Sequence, residues 1–294
     1  CATTHTTESG RQIALKVLVE KGKGHQANVA LEALREAMIW DEKTYQRNYD
    51  LDVYHIVAIA NFNAGAMENK GLNIFNDLAL LADPTIATDK NMAWVKRVVA
   101  HEYFHNWTGN RITCRGWFQL SLKEGLTVFR EQQYAYDRLS TIMERLADVK
   151  IMQQRQFVED QGPLAHPVRP DRYMAIDNFY TATVYDKGAE VIRMLETLVG
   201  KAHFSQQMQH YFERYDGQAV TVEALIGTIL DGTDITEDVF MRWYSQAGTP
   251  QVTITWDVDL EAQTCTIKCE QTLPLTHAKS GNKPQIIPIQ TAFF

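Results

Sequence analysis

The stretch HEYFH at 101–105 closes a helical pattern that starts near Thr88 or Asp89, and it restricts the fold more than any other feature of the chain. Its two histidines are four residues apart, so they lie on one helix face, one turn apart, and both imidazoles reach a single cation. A cation site of this kind needs a third ligand. Glu124, in SLKEGLTVF (121–129), follows His105 after eighteen residues. Gly109 and Gly116 leave room there for a helix end, a loop and the start of a second helix over 120–139. Leu120, Leu122, Leu126 and Phe129 surround Glu124 in sequence. A carboxylate buried among such residues is costly unless something pairs with it. The fold must then pack the two helices side by side. The alternative is a helix with two surface histidines and an exposed Glu124 beside Lys123.

Two histidines and one carboxylate make a zinc site with an open position, and HExxH is the zinc-hydrolase pattern. Bound metal lowers the pKa of water from 15.7 to about 7 and polarises a carbonyl oxygen. Glu102 stands next to the first histidine and can take the proton and pass it to a leaving amine. The chemistry implied is amide hydrolysis. His5, His25, His55, His166, His203, His210 and His277 have no ligand-spaced partner and read as structural or surface residues. His203 and His210 could share a helix face, with capping or solvent contact the expected role.

Strand signals cover 10–19, 51–60 and LALLAD at 78–83, with an extended piece in 63–77. Helical spacing covers 25–45, 140–158, 179–199, 201–215, 221–231 and 235–246. At Gly248 the texture changes: QVTITWDV alternates, and strand-like runs follow at 263–271 and 285–294. This order predicts an α+β domain over 1–248 and the start of an all-β domain over 249–294, not a doubly wound sheet.

With 45% hydrophobic and 22% charged residues, a buried core is expected. The net charge of −7 argues against nucleic-acid or anionic-membrane partners. No apolar run reaches the roughly 18–20 residues of a membrane span. The opening CATTHTTESGR has no signal-peptide h-region and no initiator Met, and both ends read as cut from a longer protein. Cys1, Cys114, Cys265 and Cys269 form no disulfide framework, so free thiols and a cytoplasmic location are expected. Cys265 and Cys269 could share a strand face but lack further ligands nearby.

FNAGAMENKGLNIFN (62–76), HEYFHNWTGNRITCRGWFQLSLKEGLTVFRE (101–131), FYTATVYDKGAEVIRML (179–195) and YSQAGTP (244–250) together resemble the M1 family of zinc aminopeptidases, of the gluzincin clan, in its bacterial alanyl branch. The resemblance implies a thermolysin-like domain, a mixed sheet over helices, followed by a β-sandwich. It implies one Zn2+ held by His101, His105 and Glu124, with Glu102 as general base. Glu68 matches the acid that binds the substrate's free α-amino group. Gly65 and Ala66, with Met67 and Asn69 of the same motif, match the edge that holds the peptide extended.

Tyr185 matches the hydrogen-bond donor to the oxyanion, and Tyr180 a wall of the first-residue pocket. Glu131, seven residues after Glu124, is expected to orient a metal-bound histidine. The implied substrates are peptides with a free N-terminus, with a broad preference for apolar and basic first residues. Ala64, before Gly65, would leave room for bulky ones. The family's preceding β-rich domain and following helical domain are partners this chain lacks. An endopeptidase of the same clan, a catalytically silent fragment and epoxide-lipid hydrolysis are the rivals. Glu68 distinguishes the first, because an endopeptidase needs no amine anchor.

Overall fold

Alternating apolar residues build a five-stranded mixed sheet in the computed structural model, which describes residues 1–273 and 282–292. Its strands are β1 (Ala2–Thr6), β2 (Gln12–Leu18), β3 (Val53–Ile59), β4 (Ala66–Met67) and β5 (Leu72–Asn76), in the order β1-β2-β3-β5-β4. β2, β3 and β5 run parallel, and β1 and β4 close the edges antiparallel. A parallel step needs a crossover, and α1 (Asn28–Tyr45) lies between β2 and β3. Ile13, Leu15, Val17, Ile56 and Phe75 are buried on one face of the sheet. They join a core with Leu34 and Met38 of α1 and Val99 and Phe104 of α3 (Asp89–Phe104).

Two short elements depart from the sequence reading. β1 was not expected, because ATTHT carries no apolar alternation. His5 is buried in it against Glu42 of α1, at 2.9 Å. The strand expected over 78–83 is instead a helical turn, α2 (Asp77–Leu80). Asn76 caps it, its side chain accepting from the Leu78 amide at 3.0 Å, and a capped turn competes well with an extended run this short.

α3 starts where expected, with the Thr88 hydroxyl accepting from the Asn91 amide at 3.2 Å. α4 (Leu120–Ala135) passes through a π-helical turn, Tyr136–Ser140, into α5 (Thr141–Ile151). A second π turn, Met152–Gln156, leads into α6 (Phe157–Gln161). The helix expected over 179–199 starts later, and its first part is a third π turn, Thr183–Lys187, that runs straight into α7 (Gly188–Val199). α8 (Lys201–Tyr215) and α9 (Val222–Leu230) follow, and the helix expected over 235–246 is split into α10 (Glu237–Phe240) and α11 (Arg242–Ser245). Two-residue strands β6 (Thr113–Cys114) and β7 (Ala219–Val220) tie the loop after α3 to the chain before α9.

α4 and α7 touch backbone to backbone. A Cβ on Gly125 would stand 2.9 Å from the Gly188 carbonyl carbon, a distance no side chain tolerates. This contact holds the π turn Thr183–Lys187 close to the first turns of α4. Beyond it, β8 (Gln251–Asp259) and β9 (Thr264–Thr272) form an antiparallel hairpin. The hairpin's root is tied down by Lys187 Nζ donating to the Gly248 carbonyl at 3.0 Å and by Thr249 Oγ1 donating to Asp160 at 2.9 Å.

No strand forms over 285–292; Gln285 is anchored instead through its amide, which donates to the Gln271 side chain at 2.7 Å. The rest of that expected run, 293–294, and His277 lie outside the described residues. Among the described residues no helix is long and apolar enough to cross a membrane.

Candidate metal centre

Helical periodicity puts His101 and Glu102 on the last turn of α3 and His105 at its C-cap, and the start of α4 brings Glu124 against them. The three prospective ligand atoms form a near-equilateral triangle. His101 Nε2 and His105 Nε2 are 3.1 Å apart, and Glu124 Oε2 lies 3.4 Å from the first and 3.2 Å from the second. Tetrahedral zinc with bonds of about 2.0–2.1 Å has ligand-to-ligand edges of roughly 3.3–3.4 Å. His105 Nδ1 donates to the Thr108 carbonyl at 2.8 Å, which leaves Nε2 as a bare acceptor toward the triangle. Glu124 Oε2 is buried without a hydrogen-bond partner among the described residues. Three converging ligand atoms, one of them an orphaned buried carboxylate oxygen, suit a divalent cation, and the donor set fits zinc.

The electrostatics follow from burial and from which charges meet. Burial works against the Glu124 carboxylate, but His105 and His101 outweigh it and hold its pKa well below the usual range. For Glu102 the balance goes the other way. Burial, opposed by His101 and reinforced by Glu68 and Glu124, pushes it up to about 8 in the metal-free centre. Partly buried Tyr185, on the third π turn, faces Glu124, and its phenol is raised far above the ordinary range. It therefore keeps its proton and remains a donor. The Tyr180 ring is half exposed, with its centroid 6.4 Å from that of Tyr185.

Glu68 follows directly on the edge strand β4, where Ala66 pairs with Phe75 and Met67 with Ile74. The Gly65 carbonyl accepts from the Asn76 amide at 2.9 Å. Ligand atoms of Glu68, Glu102 and His105 all lie within 4.8 Å of one another. This second grouping shares His105 with the first, so it belongs to the same centre.

Sequence reading missed two residues here. Lys123 salt-bridges Glu68 and lies 3.4 Å from Glu124 Oε1. Burial disfavours its ammonium, but Glu124 and Glu68 prevail and hold its pKa above the ordinary range. Asn110 donates from its side chain to the Glu68 carbonyl at 2.9 Å. Lys123 was legible only as the neighbour of Glu124; its reach to Glu68 depends on tertiary packing. Glu131 does not do what was expected of it. α3 and α4 run antiparallel here, so a step from Glu124 to Glu131 moves the partner on α3 back from the histidines to Arg97, which Glu131 salt-bridges.

The "Peptidase family M1 domain" matches residues 29–244. The chain belongs to peptidase family M1. This M1 chain is 50% identical to aminopeptidase N of Escherichia coli over 97% of its own length and 33% of that protein. It is 55% identical to aminopeptidase N of Caulobacter vibrioides over 87% of its length and 30% of that protein. The M1 chain thus spans about a third of the length of the curated relatives it matches. A crystal structure of Legionella pneumophila aminopeptidase A in complex with aspartic acid superposes with a TM-score of 0.83 at 32% identity, covering 92% of this chain and 31% of that one.

Proposed function

We propose that this chain is the catalytic part of a zinc-dependent aminopeptidase that removes the first residue of peptides, with a broad preference for apolar and basic ones. His101, His105 and Glu124 hold one zinc ion. When bound, zinc supplies Lewis-acid activation of water and of the scissile carbonyl. Glu102 takes the proton of the attacking water and delivers it to the leaving amine. Tyr185 donates to the oxyanion. The free edge of β4, at Gly65–Met67, adds the peptide as an extended strand, and Asn69 ends that motif. Tyr180 lines the first-residue pocket. A cytoplasmic setting, supported by four free cysteines, and a separate β domain beginning near Thr249 complete the reading.

One observation carries the exopeptidase reading: the Glu68 carboxylate lies within 4.8 Å of Glu102 and His105. Consecutive Cα atoms are about 3.8 Å apart, so an ammonium held by Glu68 leaves space for one residue before the reacting carbonyl. A carboxylate can accept from two cations, so the peptide's ammonium joins Lys123 there. The test is hydrolysis of an alanyl anilide with its amine free or acetylated, using full-length protein. Cleavage of the free form alone is expected. Cleavage of both would transfer the chain to the endopeptidases.

A further inference from the structure

The turn that follows HEYFH is built around one ring nitrogen. His105 Nδ1 donates to the Thr108 carbonyl at 2.8 Å. Thr127 Oγ1, on α4, stands 3.2 Å from that nitrogen, 3.1 Å from the same carbonyl and 2.7 Å from Thr108 Oγ1. The Thr108 hydroxyl donates to the Phe104 carbonyl at 3.0 Å. Behind it lies Arg130, fully buried on α4. One arm of its guanidinium donates to the Phe104 carbonyl at 2.9 Å and to Thr108 Oγ1 at 3.1 Å. The other salt-bridges Asp41 of α1, itself 1% exposed.

The guanidinium lies over the rings of Tyr45 and Phe104, with centroids at 4.7 and 4.9 Å. Gly109 ends the turn at φ +147°, and a Cβ there would stand 3.0 Å from His105 Nδ1. The carbonyls at the two ends of the turn, Phe104 and Thr108, are therefore held from α4 by Arg130 and Thr127, with Asp41 of α1 anchoring Arg130 behind them.

We propose that Thr127 and the Arg130–Asp41 pair are positioning residues of the metal centre, fixing the tautomer and rotation of His105 so that Nε2 faces the cation. The inference rests on the zinc reading above and extends it, because it ties metal retention to a contact on α1. Outer partners of a histidine ligand set its orientation and basicity, and losing one typically weakens metal affinity about 10–100-fold. Lysine cannot replace Arg130, because a single ammonium lacks the fork that reaches the Phe104 carbonyl and Asp41 together.

The experiment uses the full chain in wild-type, Thr127→Val, Thr127→Ser and Arg130→Lys forms. Zinc affinity is measured by chelator competition, and the His105 tautomer by 15N shifts of the metal-free protein. Unfolding temperature of the metal-free forms checks the fold. Thr127→Val is expected to lose zinc affinity by about 10–100-fold while its metal-free form stays folded. Thr127→Ser should restore most of the affinity, and Arg130→Lys should lose it. Wild-type His105 should carry its proton on Nδ1, toward the Thr108 carbonyl; Thr127→Val, which frees that carbonyl from the Thr127 hydroxyl, should populate both tautomers. Wild-type affinity in a folded Thr127→Val, or a wild-type ring protonated on Nε2, would overturn the assignment. A wild-type protein that binds no zinc sinks the zinc reading instead, and the tautomer measurement still decides this one.

Discussion

The two ends of α4 and the β8–β9 hairpin represent opposite solutions to the same problem of what to do with side chains. Along α4 nearly every residue is buried, charged ones included, and the charges stand against chosen partners: Glu124 beside Lys123 and two histidines, Arg130 against Asp41, Glu131 against Arg97. In the hairpin, Ile254, Trp256 and Val258 line up across from Cys269, Ile267 and Cys265, and all six are exposed. Trp256 is 72% exposed. An isolated two-stranded hairpin is marginal in water, so this one adds little to the stability of the body it hangs from. Burial is spent where a precise arrangement of charge is needed. The hairpin's apolar face contributes no such arrangement among the described residues.

The contrast can be broken at several points. Glu102→Gln should lower kcat on an alanyl anilide by about 10²–10⁴-fold, the usual worth of a general acid–base group, with zinc content unchanged by metal analysis. Loss of zinc would mean that Glu102 holds the metal centre together rather than moving a proton. Gly125→Ala forces a methyl against the Gly188 backbone and should cost about 1–3 kcal/mol in urea unfolding. An unchanged midpoint would show that α4 and α7 can part without penalty.

Asp186 sharpens the comparison through pH. Burial, opposed by Arg155 and reinforced by Glu131 and Asp148, raises its pKa from 3.8 to about 6. Between those values the folded chain holds a proton that the unfolded chain has released. This contribution is therefore present below pH 3.8 and lost as the pH rises to about 6. Asp186→Asn should remove that slope and stabilise the protein at pH 7 by about 1–2 kcal/mol, allowing for partial solvent screening. A slope that survives in Asp186→Asn assigns it to another group. Trp256→Ser should change stability by less than about 0.5 kcal/mol, as exposed substitutions do. A larger loss in thermal unfolding would mean that the hairpin is packed after all.

What the sequence showed and what it hid divide along the same line. HEYFH and Glu124 were legible because helical periodicity alone puts the histidines together, and an acid in an apolar run demands a partner. β8 and β9 were legible from alternation. β1 was not, because its one buried side chain, His5, is polar and is buried only by pairing with Glu42. The links that tighten the centre were hidden for a related reason. Lys123 finds Glu68 across 55 residues, and Arg130 finds Asp41 across 89; no local pattern reports such pairs. Glu131 misled because spacing gives the face of a helix but not which turn of its neighbour it meets.

The bare meeting of Gly125 and Gly188 has a consequence for how the chain can change over time. One glycine follows directly on a prospective metal ligand, and the other comes three residues after Tyr185. Neither position can accept a side chain unless the helices separate, and separation would move Glu124 away from Tyr185. Two sites far apart in sequence therefore share a single degree of freedom. Lineages that keep the chemistry should keep both small, and one that enlarges either must rebuild the gap between acid and phenol by another route.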